Sequence, residues 1–237
     1  MWKELTDLLM PRTCLVCGAP LGAQEAHLCL SCEAHLPLTY YWERPHNPMA
    51  DEFNAVLERH RLPGEALPYS YAAGLLFYHH RNPYKRIPQA VKYGRDVAAG
   101  RHFGALLGRY LATAPHLADV DAVIPVPLHW LRRLRRGYNQ AAVLSEAIAG
   151  VLGVPVLEDV LVRSRRTRSQ TSLLAEDRQK NVSGVFSVRR APQARHILLV
   201  DDTFTTGATL AACHQALRRV LDASARISIA TLAVVDT

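Results

Sequence analysis

The sequence predicts an α/β protein with a mostly parallel sheet and a small cysteine-rich module at its N-terminus. Three observations carry this. From Tyr69 onward, short apolar runs alternate with segments of helical periodicity, the pattern of strands joined by crossover helices. One of these runs, His196 to Val200, leads into two adjacent carboxylates, Asp201 and Asp202, then a Thr/Gly-rich turn and a helical pattern. Four of the five cysteines form two Cys-x2-Cys pairs near the start, Cys14/Cys17 and Cys29/Cys32.

The chain of 237 residues is long enough for one sizeable core plus an appendage. Its 49% hydrophobic and 21% charged residues are ordinary for a globular protein, and no apolar run approaches a membrane span. Residues Met1 to Met10 carry Lys3, Glu4 and Asp7 among Trp2, Leu5, Leu8 and Leu9. This reads as a short amphipathic helix rather than a secretory signal, so the expected location is cytoplasmic. The net charge is +7, and much of it is concentrated in two arginine clusters: Arg132, Arg133, Arg135 and Arg136, then Arg163, Arg165, Arg166 and Arg168. Such clusters suit phosphate ligands or nucleic acid, and equally a solvated basic face.

In chain order, residues 1–45 form the cysteine module. Each Cys-x2-Cys pair can set two thiolates on one side of a tight turn, and two pairs close a tetrahedron around zinc. Disulfides are disfavoured in a chain without an export signal, and a redox Cys-x2-Cys would open a helix after a strand. Four thiolates leave no open position, so the zinc is structural. Residues 46–68, rich in Pro, Tyr, His and Asn, read as a connector with one helix from about Asp51 to His60.

Residues 69–237 hold the α/β domain. Strands are expected at Tyr71–Tyr78, Asp121–Val126, Val156–Val162, Ile197–Val200 and Ile227–Val235. Helices are expected at Pro83–Tyr93, Val97–Ala112, Asn139–Leu152 and between the last two strands. Two loops carry chemistry. Pro125 to Gln140 leaves a strand end through an arginine-rich stretch, where polyanions dock on parallel sheets. Arg163 to Asn181 opens with arginines and reads as a loop that can close over a substrate. Cys213, on the helix after the acid pair, reads as a small buried hydrophobe.

The order acid, acid, hydroxyl-rich loop and helix specifies a ribose 5-phosphate. The amides of Thr205 to Thr209 and the Thr hydroxyls can hold a phosphate at a helix N-terminus, and Asp201 and Asp202 can accept hydrogen bonds from vicinal hydroxyls. The alternative is a capped helix with two solvated acids. The stretch is similar to the phosphoribosyl pyrophosphate (PRPP) loop of type I phosphoribosyltransferases. It is not a Walker loop, because no Gly-Lys-Ser/Thr follows and the acids come first.

Further motifs extend the resemblance along nearly the whole chain. They are the four cysteines, Lys92-Tyr93-Gly94, Pro125-Val126-Pro127-Leu128-His129 with Arg136-Gly137-Tyr138-Asn139-Gln140, the series Thr167, Gln170, Leu173, Arg178, Asn181, Gly184 and Phe186, and the acid-pair loop. Together they resemble the competence protein F (ComF) family. Tyr138 stands where Phe is more usual, and Thr203 where an apolar residue is. The resemblance implies a type I phosphoribosyltransferase-like fold and a role in natural transformation, handling incoming single-stranded DNA, with DNA-uptake or recombination proteins as partners.

It further implies that Asp201 and Asp202, the catalytic pair if the protein turns over, hold the ribose. Asp201, Asp202, Thr203, Thr205, Thr206, Gly207, Ala208 and Thr209 would form the PRPP site, and Mg²⁺ would bridge pyrophosphate and ribose. Pro127, Leu128, His129, Arg132, Arg136, Arg165 and Arg166 would face pyrophosphate. Two readings stay open on the residues alone. One is an enzyme that transfers the phosphoribosyl group to a base. The other is a non-enzymatic module that binds PRPP, a nucleotide or DNA.

Overall fold

The computed structural model describes residues 12–61, 67–94, 96–128, 137–163 and 185–235. The central sheet has four strands, β1 (Ala72–Tyr78), β2 (Ala122–Pro125), β5 (His196–Phe204) and β6 (Arg226–Val235), in the order β1-β6-β5-β2. Every neighbouring pair is parallel. β3 (Leu161–Arg163) and β4 (Phe186–Val188) form a separate antiparallel pair. The helices are α1 (Leu30–Ala34), α2 (Pro48–Arg59), α3 (Arg86–Tyr93), α4 (Val97–Ala112), α5 (Gln140–Leu152) and α6 (Ala208–Arg218). The α/β class and the parallel sheet are as the sequence predicts.

Strand and helix residues divide between two apolar layers, as a sheet covered on both faces requires. Leu198 and Val200 of β5 face one layer with Ala230 and Leu232 of β6, Ile87 and Val91 of α3, Phe103 and Leu107 of α4, and Leu144 and Ile148 of α5. Ile197 and Leu199 face the other with Phe53 of α2 and Leu210, Cys213 and Leu217 of α6. Cys213 is fully buried, in line with its reading as a core residue. In the first layer α4 and α5 touch almost backbone to backbone. A Cβ on Gly104 would stand 2.9 Å from the Ala147 Cβ and 3.1 Å from the Leu144 carbonyl, so only glycine permits the approach.

The cysteine module is built into this core. Cys14, Val16 and Leu28 are buried in the same layer as Phe103 and Leu107. Arg86 Nη1, at the start of α3, donates to the Val16 carbonyl at 2.8 Å, and the Tyr84 hydroxyl donates to the Cys32 carbonyl at 2.9 Å. In the connector, α2 starts at Pro48, earlier than expected, because Asn47 caps it by accepting from the Ala50 amide. The same side chain donates to the Ala72 carbonyl and so ties the helix to β1.

Two expected strands differ. The strand before the acid pair does not end at Val200. β6 runs on to Val235, and β5 stays paired with it through Phe204. The expected strand Val156–Val162 is split. Val156 bridges to Val123 beside β2, then the chain turns away and Leu161 pairs with Val188, where the Arg190–Asp159 ion pair and the Arg189 amide on the Val160 carbonyl seat it. The N-terminal helix expected at Met1 to Met10 and, but for Arg163, the loop expected to close, Arg163 to Asn181, lie outside the described residues.

At the opposite end of the sheet from the acid pair, buried histidines replace apolar residues. His196 Nδ1 lies 2.7 Å from Asp119 and its Nε2 2.8 Å from the Ser228 hydroxyl, which fixes the starts of β5 and β6. On α6, His214 Nε2 is 3.3 Å from the Ser70 hydroxyl, while its Nδ1 is buried and has no hydrogen-bond partner among the described residues. Burial, and then the Arg218 charge, push His214 down to about 3. Its folded value lies below the unfolded one, so stability is whole above the unfolded value of about 6.5 and declines as pH falls through that value toward 3. Urea unfolding of the wild type and of His214→Gln, compared between about pH 7 and about pH 5, is expected to show a loss roughly 1–2 kcal/mol smaller in the variant. Equal losses in the two proteins would mean that His214 is not held neutral.

Candidate functional site

The acid pair lies near the carboxyl end of the central strand β5, where ligands meet open parallel sheets. Adjacent strand residues point to opposite faces, and the two carboxylates accordingly keep different company. Asp202 Oδ1 lies 3.0 Å from the Lys92 ammonium at the end of α3, on the side of the first apolar layer. Asp201 accepts the Asp202 amide at 2.8 Å and feels the charge of Arg163, which ends β3 beneath the second layer. Burial, and next the Asp202 charge, raise Asp201 to about 7, against the pull of that amide, Lys92 and Arg163. Cys213 lies close enough to Asp201 that its thiol, already raised by burial, is raised further by that charge.

Beyond the acids, Thr203 stays paired in the strand opposite Ala233, and Phe204 turns into the core. Thr205 and Thr206 are exposed, as are Ala208 and Thr209. Gly207 turns the chain into α6 at φ 68°, and a Cβ there would stand 3.0 Å from the Phe204 ring, so both backbone and space demand glycine. Among the described residues no side chain caps α6. A helix start of this kind can offer its first amides to an anion. The carboxylates are hard oxygen donors of the type Mg²⁺ takes.

Lys92 was not among the site residues expected from the sequence, although its Lys92-Tyr93-Gly94 motif stood out. A second motif holds it. The Tyr138 hydroxyl donates to the Val91 carbonyl, Gln140 Nε2 donates to the Lys92 carbonyl at 3.4 Å, and Asn139 Nδ2 donates to the Val126 carbonyl at 3.1 Å beyond β2. These three residues thus brace α3 against the end of β2. Of the residues expected to face pyrophosphate, Pro127 and Leu128 follow the end of β2 and are half-buried. His129, Arg132, Arg136, Arg165 and Arg166 lie outside the described residues. Arg163 stands over the Phe186 ring at 5.3 Å.

The second centre is the cysteine cluster. The sulfurs of Cys14, Cys17, Cys29 and Cys32 all lie within 4.8 Å of one another, a spacing that tetrahedral zinc can bridge. Backbone amides aim at the sulfurs. Burial alone raises the Cys14 thiol, yet the amides of Cys17, Cys29 and Val16 outweigh it and bring the group down to about 6. Cys32 is pushed up to about 12 by burial and by its three sulfur neighbours. Four thiols so placed are easily relieved by a dication. Among the described residues this is the one group of three or more His, Cys, Asp and Glu side chains that could hold a metal.

Fold and sites together define an α/β protein with a parallel sheet, an acid pair before a hydroxyl-rich loop, and an N-terminal zinc ribbon. Residues 5–43 match the family model of the double zinc ribbon domain. The chain is similar to competence protein F of Haemophilus influenzae, with 35% identity over 150 residues, 60% of this chain and 65% of that protein. It is similar to the DNA utilization protein YhgH of Escherichia coli O157:H7, with 36% identity over 99 residues, 42% of this chain and 44% of that one. The chain thus spans less than two thirds of the length of either relative. Among solved structures, glutamine PRPP amidotransferase from B. subtilis, complexed with ADP and GMP, is similar at a TM-score of 0.39 and 19% identity, over 57% of this chain and 26% of that one.

Purified protein is expected to carry about one zinc per chain by elemental analysis. Cys17→Ser, an exposed position, is expected to lose the metal and lower the melting temperature, because the cluster is continuous with the packing around α3 and α4. A metal-free native protein with an unchanged melt would contradict a structural zinc.

Proposed function

We propose that this protein acts in DNA uptake, as its competence relatives' names suggest, and that its sheet binds a ribose 5-phosphate ligand, PRPP or a nucleotide, together with Mg²⁺. One observation carries the reading. The carboxylate of Asp202 and the first turn of α6 stand at the same end of β5, separated only by the hydroxyl loop 203–207. Acids there suit vicinal hydroxyls and a hard cation, and first-turn amides suit a terminal phosphate. In this reading Asp201, Asp202, Thr203, Thr205, Thr206, Gly207, Ala208 and Thr209 line the ligand site, and the loops after β2 and β3 serve the pyrophosphate.

Asp202→Ala removes a ligand contact while leaving the apolar strand beneath it. Calorimetry with PRPP and Mg²⁺ is expected to show binding weakened by about 1.5–3 kcal/mol, the scale of a hydrogen bond to a charged group, with little change in melting temperature. Equal affinity in both proteins would falsify the assignment. Pyrophosphate release across a panel of bases then separates an enzyme from a binding module.

Single-stranded DNA is the second ligand in this proposal, supported by the +7 charge and the concentration of arginines in two clusters. Its binding is expected to fall steeply with salt, each neutralised phosphate adding about −0.7 to the log–log slope. A flat salt response in a fluorescence titration would remove DNA from the proposal.

A further inference from the structure

Lys92 is the cation that Asp202 holds, and it reaches the site from a helix far away in sequence. The pair is largely shielded: the Lys92 side chain is 27% exposed and that of Asp202 14%. Parting two charges so placed is costly unless each finds a new partner, so an exchange needs a cation for the carboxylate and an anion for the ammonium. What cannot move far is the base of the lysine stem. The Val91 and Lys92 carbonyls are gripped by Tyr138 and Gln140, and the start of α3 is tied to the zinc ribbon through Arg86 and the Val16 carbonyl. Gly94 closes the helix directly afterwards, at a place where a Cβ would stand 2.8 Å from the Ala90 carbonyl. The ammonium is therefore a flexible charge on a fixed post beside the acid pair.

We propose that Lys92 is a ligand-contacting residue of this site, paired with Asp202 in the free protein and transferred to a phosphate of the ligand when a divalent cation takes the carboxylate. The proposal rests on the reading of the site as one for Mg²⁺ and a phosphoribosyl or pyrophosphate ligand. The exchange is balanced in charge. Among the described residues the free protein pairs the ammonium with the carboxylate. A metal–pyrophosphate complex brings a cation for the carboxylate and an anion for the ammonium, so two favourable pairs replace one and no charge is left without a partner. A metal alone must instead displace the ammonium and leave it with water.

The consequence is an opposite response to two ligands. Lys92→Met keeps the length of the stem and removes the charge. Mn²⁺ alone, titrated by electron paramagnetic resonance, is expected to bind the variant up to about fivefold more tightly, because its competitor is gone. Pyrophosphate with Mg²⁺, followed by calorimetry, is expected to bind about tenfold or more weakly, because a charge-assisted contact is gone. Lys92→Arg keeps a cation and is expected to retain most of the pyrophosphate affinity. Thermal melts of each variant check that the fold is kept.

If wild-type protein binds pyrophosphate and Lys92→Met changes both affinities in the same direction, or changes neither, the exchange is wrong while the site reading stands. The exchange is also overturned if Lys92→Arg loses as much affinity as Lys92→Met, since the charge would then not be the contact. If the wild type binds neither PRPP nor pyrophosphate with Mg²⁺, the site reading itself falls and the exchange falls with it.

Discussion

Everything polar in this protein is arranged around one constraint: β5 and β6 are buried on both faces. A parallel sheet with a layer of helices on each side leaves no room for charge along its middle, so Ile197 to Val200 and Ile229, Ala230 and Leu232 are apolar and wholly enclosed. Charge can then appear only at the strand ends. The amino end carries His196, Asp119, Ser228 and Arg226, which satisfy one another. The carboxyl end carries Asp201 and Asp202, whose partners come from other elements and leave the hydroxyl loop facing outward. One end of the sheet is thereby closed by its own side chains, and the other ends in an exposed loop.

The acid pair is less symmetrical than its sequence implies. Two neighbouring carboxylates read as one pair of acceptors for vicinal hydroxyls. The strand places them on opposite sides, where one pairs with Lys92 and the other sits near Arg163 and Cys213. Burial, and next the Asp202 charge, hold the proton on Asp201 more tightly than on an ordinary carboxylate. The two acids are thus chemically distinct before any ligand arrives.

How much of this was legible in the sequence follows from which signals are local. The strands β1, β5 and β6 and the helix α4 are written in apolar periodicity, and the boundaries of α4 fall where the pattern places them. The cysteine spacing was legible for the same reason, since a knuckle needs only its own few residues. The end of β5 was not, because its extension to Phe204 depends on β6 continuing alongside it, a non-local pairing. Nor was the break after Leu157, which depends on an edge position beside β2 and on β4. Lys92 showed the same limit from the other direction. The motif was visible, but its place beside Asp202 comes from the packing of α3 and from Tyr138 and Gln140, which brace that helix from a distant part of the chain.

The union of the cysteine ribbon with the main core bears on how the protein can be dissected. Val16 and Leu28 share a core layer with Phe103 and Leu107, and Arg86 and Tyr84 reach into the ribbon's backbone. A truncation that removes the ribbon would strip a face of α4, free the start of α3 and slacken the post that carries Lys92. Loss of function in such a deletion would therefore report on the whole fold, and separating the ribbon's own contacts from those of the sheet calls for surface substitutions on an intact chain.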